Sequence, residues 1–319
     1  MNKRCPSCHS IDFRTIDAVQ VSAVVEGYRQ RHLDIDISSL MRSHGDQIEL
    51  LKCTACDLRW FWPMVAGEAD FYEQLQRHDW YYQTDKPEHI FAATHVLPGK
   101  SVCEVGCGAG AFASRLPDSS TYRGLEFNKA AVERAVAAGL NVVQQTIEAE
   151  AISHPAAYDV VCHFQVLEHV PDVLGFMRAS VATLRPDGLL IVAVPSEDSF
   201  LSIAGASWLN MPPHHVSRWT DRALSNLFSS LGFETIACWH EPVATYHADW
   251  YAAVMAERAI RTVFGGKPTL AGGGFASKLA YRLALWPQLR QGLVSRGESG
   301  FEFKGRGHSV CVVGRPMTA

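Results

Sequence analysis

Short apolar runs recur through the middle of the chain, each followed by a stretch whose apolar positions fall three and four residues apart. The runs lie around Val102 and Val105 and over 122–127, 141–145, 158–164 and 189–194, lengths that predict buried strands. Between them 128–138 reads as a helix, and Val173, Phe176, Met177, Ser180, Val181 and Leu184 form one apolar helical face. A further helix is predicted over 221–231 and a sixth strand over 232–239, with 308–314 as the last strand. Strands alternating with helices predict an α/β, doubly wound, mostly parallel sheet whose ligand lies at the C-terminal edge of the strands.

The flanks follow other patterns. Residues 1–63 hold a strand, I-E-L-L-K-C, and an aromatic run, Leu58 and Trp60 to Pro63, which serves either as a small core of its own or as a face for a partner. In 64–99, residues 71–75 read as helix, Trp80, Tyr81 and Tyr82 cluster, and 85–97 is an amphipathic helix ending before Pro98-Gly99. Beyond the core, 250–263 reads as helix and 265–274 is glycine-rich. Then 275–292, interrupted at Pro287, sets Leu279, Leu283, Trp286 and Leu289 on one side and Lys278, Arg282 and Arg290 on the other. That pattern suits a lid or packing element with a solvated face, or weak contact with a membrane surface. The predicted units are 1–63, a linker and capping helix at 64–99, a core at 100–244, a helical insertion or lid at 245–305, and the final strand at 306–319.

Composition narrows the class. Of 319 residues 47% are hydrophobic and 19% charged, which suits a globular chain with ample core. A formal net charge of -4 and a pI near 6.4 count against a general nucleic-acid binder, which would be basic. No run of 18 apolar residues predicts a transmembrane segment. Met1 to Ser10 is polar, unlike a signal peptide, so a cytoplasmic location is expected.

The nine cysteines include C-P-S-C at Cys5 and Cys8 and C-T-A-C at Cys53 and Cys56. Each pair can place two thiolates on one tetrahedral Zn²⁺ at ~2.3 Å, and together they make a closed four-thiolate site, structural rather than catalytic. His9 is a substitute ligand. The 44 residues between the pairs (53 − 8 − 1) exceed the usual ribbon spacing of about 15–20. Redox activity is the competing reading, but neither pair opens a helix after a core strand.

Cofactor chemistry is carried by residues 100–112, K-S-V-C-E-V-G-C-G-A-G-A-F. Glu104 precedes Gly106, Gly108 and Gly110, which stand between a strand and a helical pattern. Lacking Cβ atoms, they let the backbone approach a ligand closely, and a helix N-terminus adds free N–H groups and partial positive charge. This acid-then-G-x-G-x-G form resembles the first motif of the class I S-adenosylmethionine-dependent methyltransferases. With the cysteine knuckles, F-Y-E-Q-L-Q and W-Y-Y, it looks like a bacterial group carrying an N-terminal zinc ribbon and acting on sugars or other small metabolites.

The resemblance implies a Rossmann-like sheet of seven strands, with 308–314 inserted antiparallel between strands five and six, and S-adenosylmethionine as cofactor. It assigns Glu126, at the end of the second strand, to both ribose hydroxyls, with Phe127 beside it. Glu148 would meet the adenine amino group with Ile147 against the ring, Glu150 being the alternative to Glu148. Backbone at Gln165 would hold the methionine amine. Tyr81, Tyr82 and Lys86 would cap the cofactor at its methionine carboxylate.

Two stretches are candidates for chemistry on the methyl acceptor. Q-V-L-E-H-V puts Glu168 and His169 at the lip of the pocket, as acid/base groups or as partners of a helix dipole. N-M-P-P-H-H-V-S-R-W-T presents His214 and His215 after two prolines that stiffen the backbone. An imidazole near neutrality suits removal of a proton from an attacking hydroxyl or carbon. A metal pair and a helix cap are the other roles open to the histidines, although the loop itself holds no carboxylate. The function expected is methyl transfer to a small molecule, a sugar or other metabolite hydroxyl first, by O- rather than C- or N-methylation. Methylation of an RNA base is one alternative, and a catalytically silent subunit that binds cofactor and recruits a partner enzyme is another.

Overall fold

The computed structural model describes residues 3–30, 35–75, 77–78, 85–205, 207–266, 269–270, 279–280, 282, 286 and 306–317. Between the two cysteine pairs the chain makes more than a ribbon. Strands β1 (Phe13–Gln20) and β2 (Gln47–Cys53) pair antiparallel, and helices α1 (Val21–Gln30) and α2 (Ser38–Arg42) fill the connection between them. Val21, Val24, Val25 and Tyr28 recur at helical spacing and bury one face of α1 against Met41, Ile48 and Phe61. That insertion accounts for the long gap between the cysteine pairs. Strand β3 (Arg59–Trp62) adds antiparallel to β2; Phe61 joins this module's own core, whereas Trp60 packs in the cluster that also holds Trp219 and Leu224 of the main core. Helix α3 (Ala69–Leu75) lends Phe71 and Leu75 to the cluster of Phe61.

Helix α4 (Pro87–Ala93), shorter than the predicted 85–97, leads into the main sheet. Strands β4 (Ser101–Val105), β5 (Thr121–Glu126), β6 (Val142–Gln144), β7 (Tyr158–Phe164) and β8 (Leu184–Pro195) run parallel. Helices α5 (Lys129–Ala137), α6 (Ile147–Ser153) and α7 (Val173–Thr183) connect them, each started by a side-chain cap, Asn128, Thr146 and Asp172 respectively. After Gly110 the predicted helix is only a 3-10 turn, Ala111–Arg115; Pro117 follows and holds Leu116 extended.

The rest of the chain is β9 (Ser217–Arg218), α8 (Asp221–Ser230), β10 (Phe233–Pro242), α9 (Ala248–Phe264) and β11 (Arg306–Pro316). The main sheet has the order β10-β11-β8-β7-β4-β5-β6, with β11 antiparallel to both neighbours, the insertion that the resemblance implies. Most of 275–292 lies outside the described residues, as do Tyr81 and Tyr82. Among the described residues no helix is long and apolar enough to cross a membrane.

Strand β9 joins the other sheet. Arg218 pairs with Arg59 and Ser217 with Trp60, giving the order β1-β2-β3-β9, and the Phe61 N–H donates to Val216 O at 2.9 Å. The sheet that begins in 1–63 is thus completed from the loop carrying His214 and His215.

Candidate active site

The glycine turn leaves the end of β4 with Gly106, Gly108 and Gly110 all at positive φ. A Cβ on Gly106 would lie 2.5 Å from Val166 Cγ2, and one on Gly110 2.4 Å from Leu140 Cδ1, so a side chain would be strained by the positive φ and would also push its neighbour aside. Glu126, at the end of β5, accepts from the N–H groups of Gly108 (2.7 Å), Phe127 (2.7 Å) and Asn128 (2.9 Å). It clamps the turn to the next strand as well as facing the cradle. Phe127 is 68% exposed beside it, an apolar face at the strand end.

Glu104 is buried under the turn, where Tyr122 Oη donates to it at 2.5 Å. Burial raises its carboxyl to about 8 in spite of the Tyr122 bond and the Lys86 charge. Lys86 also lowers Glu168 against the effect of burial, so its ammonium acts on both ends of the cradle.

Other assigned residues fall differently. Ile147 is buried in the main core cluster, and Glu148 is exposed on the first turn of α6. Glu150 is taken out of contention as the alternative to Glu148. It is fully buried, receives Arg123 Nε and Nη2 at 2.7 and 3.0 Å and Gln145 Nε2 at 3.0 Å, and is also bonded by the Tyr158 hydroxyl. Gln165 stands at φ +59 at the end of β7, a turn that breaks the strand beside the glycine loop. Its side chain faces away, donating to Glu88 Oε1 and Ser309 Oγ at 3.1 Å each, so its backbone is what it can offer a ligand.

The structure brings Glu168, His169, His214 and His215 together, although the loops that bear them are 45 residues apart. The ring centroids of His169 lie 4.6 and 4.8 Å from those of His214 and His215, which stack on each other at 4.4 Å. Tyr72 stands edge-on to His169 at 5.6 Å. Buried Arg218 ties the loop together, donating from Nε and Nη2 to Asn210 O at 3.1 and 2.7 Å. Arg218 also lies over the Phe61 ring at 5.1 Å and near Glu197, which Arg59 of β3 grips directly.

Burial sets the charge of this cluster. It lowers His214 and His215 well below the ordinary imidazole value and His169 to about 4, keeping all three rings neutral, and it raises Glu168 to about 8. The near-neutral imidazole expected from the sequence is therefore corrected: desolvation moves these rings out of the physiological range.

Sequence reasoning missed Tyr72, Asn210 and Arg218, which frame the histidines, and Glu88 and Ser309, which anchor Gln165. Asn210 and Arg218 lie in the same loop string as the histidines and Tyr72 in F-Y-E-Q-L-Q, but their contacts with the cluster are made only by the fold. At the other end of the N-terminal sheet the sulfur atoms of Cys5, Cys8, Cys53 and Cys56 all lie within 4.8 Å of one another. Cys5 and Cys56 are 3.5 Å apart, and Cys8 and Cys53 3.6 Å. Tetrahedral thiolates at ~2.3 Å from one ion would stand ~3.8 Å apart, so the cluster fits a metal of that kind.

A family described as a methyltransferase domain matches residues 72–237. A ubiquinone biosynthesis O-methyltransferase from Salmonella paratyphi A is 32% identical over 171 residues, 51% of this chain and 64% of that protein, so less than two thirds of it is spanned. Its counterpart from Pectobacterium carotovorum is 30% identical over 181 residues, 53% of this chain and 71% of its own length. A solved S-adenosylmethionine-dependent methyltransferase from Archaeoglobus fulgidus is 13% identical, with a TM-score of 0.49 over 76% of this chain and 99% of that one.

Proposed function

The chain belongs to the class I S-adenosylmethionine-dependent methyltransferases, and on that basis we propose that it transfers the cofactor's methyl group to a hydroxyl of a small-molecule acceptor. The observation that carries this reading is the meeting, at one edge of the sheet, of two unlike sets of groups. The glycine turn, Glu126, Lys86 and the Gln165 backbone suit the cofactor. Glu168, His169, His214 and His215 suit an acceptor whose proton must leave.

The acceptor oxygen's lone pair forms the new O–CH3 bond while the C–S bond breaks. The bonding pair returns to sulfur, turning the sulfonium into the thioether of S-adenosylhomocysteine, and the hydroxyl proton leaves at the imidazole–carboxylate cluster. Alignment of oxygen, methyl carbon and sulfur is the protein's main contribution and is worth several kcal/mol. Relatives that are O-methyltransferases by name favour oxygen over carbon or nitrogen as the atom methylated. A sugar or comparable metabolite hydroxyl is the first acceptor to test.

In the same reading the four cysteines hold a structural Zn²⁺, the insertion at 245–305 shapes the acceptor side, and the enzyme works in the cytoplasm. Radiolabelled S-adenosylmethionine offered with acceptor pools should label a small molecule. His214→Ala and His215→Ala should each lower kcat ~10²- to 10⁴-fold with the cofactor Kd unchanged. Wild-type turnover in both variants would place the base elsewhere and make Glu168 or His169 the next to test.

A further inference from the structure

Gln165 ends β7 in the left-handed region, a conformation that strains a residue with a side chain and persists only where its surroundings over-determine it. The surroundings do so from two sides. Its backbone N–H donates to Ala193 O of β8 at 2.8 Å. The two hydrogens of its Nε2 have one acceptor each, Glu88 Oε1 on α4 and Ser309 Oγ on β11. The line of bonds then runs on: the Ser309 N–H donates to Glu241 Oε2 at 3.0 Å, and Tyr246 Oη donates to Glu241 Oε1 at 3.3 Å. Glu88, Ser309 and Glu241 are all buried.

Two buried carboxylates are costly where apolar side chains could pack instead. Burial and the neighbouring Glu88 raise Glu241 to about 7, which shows the strain of keeping them together. What the two acids share is the line of bonds that ends on Gln165. That turn also packs on the cradle, because Val166, the next residue, fills the space a Cβ on Gly106 would need. A Gln165 that relaxed to an ordinary conformation would carry Val166 with it and disturb both turns at once.

We propose that Glu88, Ser309 and Glu241 are positioning residues that act through Gln165, holding its backbone in place for the methionine end of S-adenosylmethionine. This rests on the reading of that backbone as the contact for the methionine amine. The nucleoside end depends on Glu126 and the glycine turn, so loss of a positioning residue is felt at the amino-acid end alone. The last strand thus takes part in cofactor recognition through Ser309, although it carries no cofactor motif and lies 144 residues from Gln165.

The test is calorimetry with two ligands, S-adenosylhomocysteine and methylthioadenosine, which share the thioether nucleoside and differ in the amino-acid end. Glu88→Ala and Ser309→Ala should each weaken S-adenosylhomocysteine about tenfold, the worth of one lost hydrogen bond, and leave methylthioadenosine unchanged. Glu88→Gln, whose amide oxygen still accepts from Gln165, should restore the wild-type value. In a Gln165→Gly background, with no side chain to hold and no strain at positive φ, Glu88→Ala should have no further effect. Gln165→Met, of similar size and without donors, carries the same expectation as the alanine variants should those fail to fold. Unchanged affinity for S-adenosylhomocysteine, or equal weakening of both ligands, overturns the proposal and leaves the transferase reading intact. Wild-type protein that binds both ligands equally removes Gln165 as the methionine contact and this proposal with it; wild-type protein that binds neither overturns the transferase reading itself.

Discussion

Replacing Glu126 with Gln tests the cofactor cradle at its most loaded residue. An ionised carboxylate offers about four acceptor sites. Backbone N–H groups already take three, two at Oε1 and one at Oε2. One site remains, so the structure has room for one ribose hydroxyl; a second must displace a backbone donor. In Glu126→Gln the amide oxygen can keep Phe127 and Asn128, which turns the NH2 group towards the Gly108 N–H, donor against donor. The variant therefore loses one charge-assisted bond within the protein and one to the ribose, each worth ~1.5–3 kcal/mol. The first loss should appear in urea unfolding of cofactor-free protein. The second should weaken S-adenosylmethionine and S-adenosylhomocysteine roughly 10- to 150-fold by calorimetry, with NAD as a non-binding control. Reduced stability with unchanged Kd would make Glu126 a clamp of the glycine turn and nothing more, and the ribose assignment would fall.

Glu104 gives a pH signature. Its folded value is about 8 against an ordinary 4.5, so between those values the folded state holds a proton that the unfolded state has lost. Stability should therefore fall as pH rises through that window, by a few kcal/mol in all, and Glu104→Gln should flatten the fall in thermal melts taken from pH 5 to 8.5. Equal slopes in both proteins would contradict the burial argument. Glu150→Gln, which leaves Arg123 without its buried partner, should cost ~3–5 kcal/mol in chemical unfolding and leave cofactor affinity unchanged; a weakened Kd would return Glu150 to the adenine site. Cys56→Ser should lower bound zinc in metal analysis and, through β3 and β9, lower kcat as well, with cofactor Kd intact. Full turnover in that variant would show the two sheets to be uncoupled.

The main sheet was readable because its strands and helices each carry their own periodicity, and the glycine turn because positive φ selects glycine. Even the antiparallel place of β11 followed once the family resemblance was drawn. Helix α1 had a signal too, Val21, Val24, Val25 and Tyr28 at helical spacing, which the wide cysteine separation obscured. Strand β9 had none: two residues hold no alternation to detect, and their pairing with β3 is a property of the folded surface. Burial was equally invisible. Nothing in Q-V-L-E-H-V says that Glu168 loses its water, and that loss is what changes the chemistry of the histidines beside it.

The join between β3 and β9 also bears on how the chain is made. The contact from Thr220 Oγ1 to Asp57 Oδ2, 3.0 Å long beside that join, spans 163 residues of sequence. At ~5–20 residues per second, a nascent chain shows the outer edge of R-W-F-W for roughly ten to thirty seconds before its partner strand exists. An aromatic edge left open that long invites pairing with another chain. Arg59, charged and on that edge, is the residue placed to discourage it until Glu197 arrives. A fragment cut at residue 63 keeps the edge and never receives the cover, so it should associate where the full chain stays monodisperse.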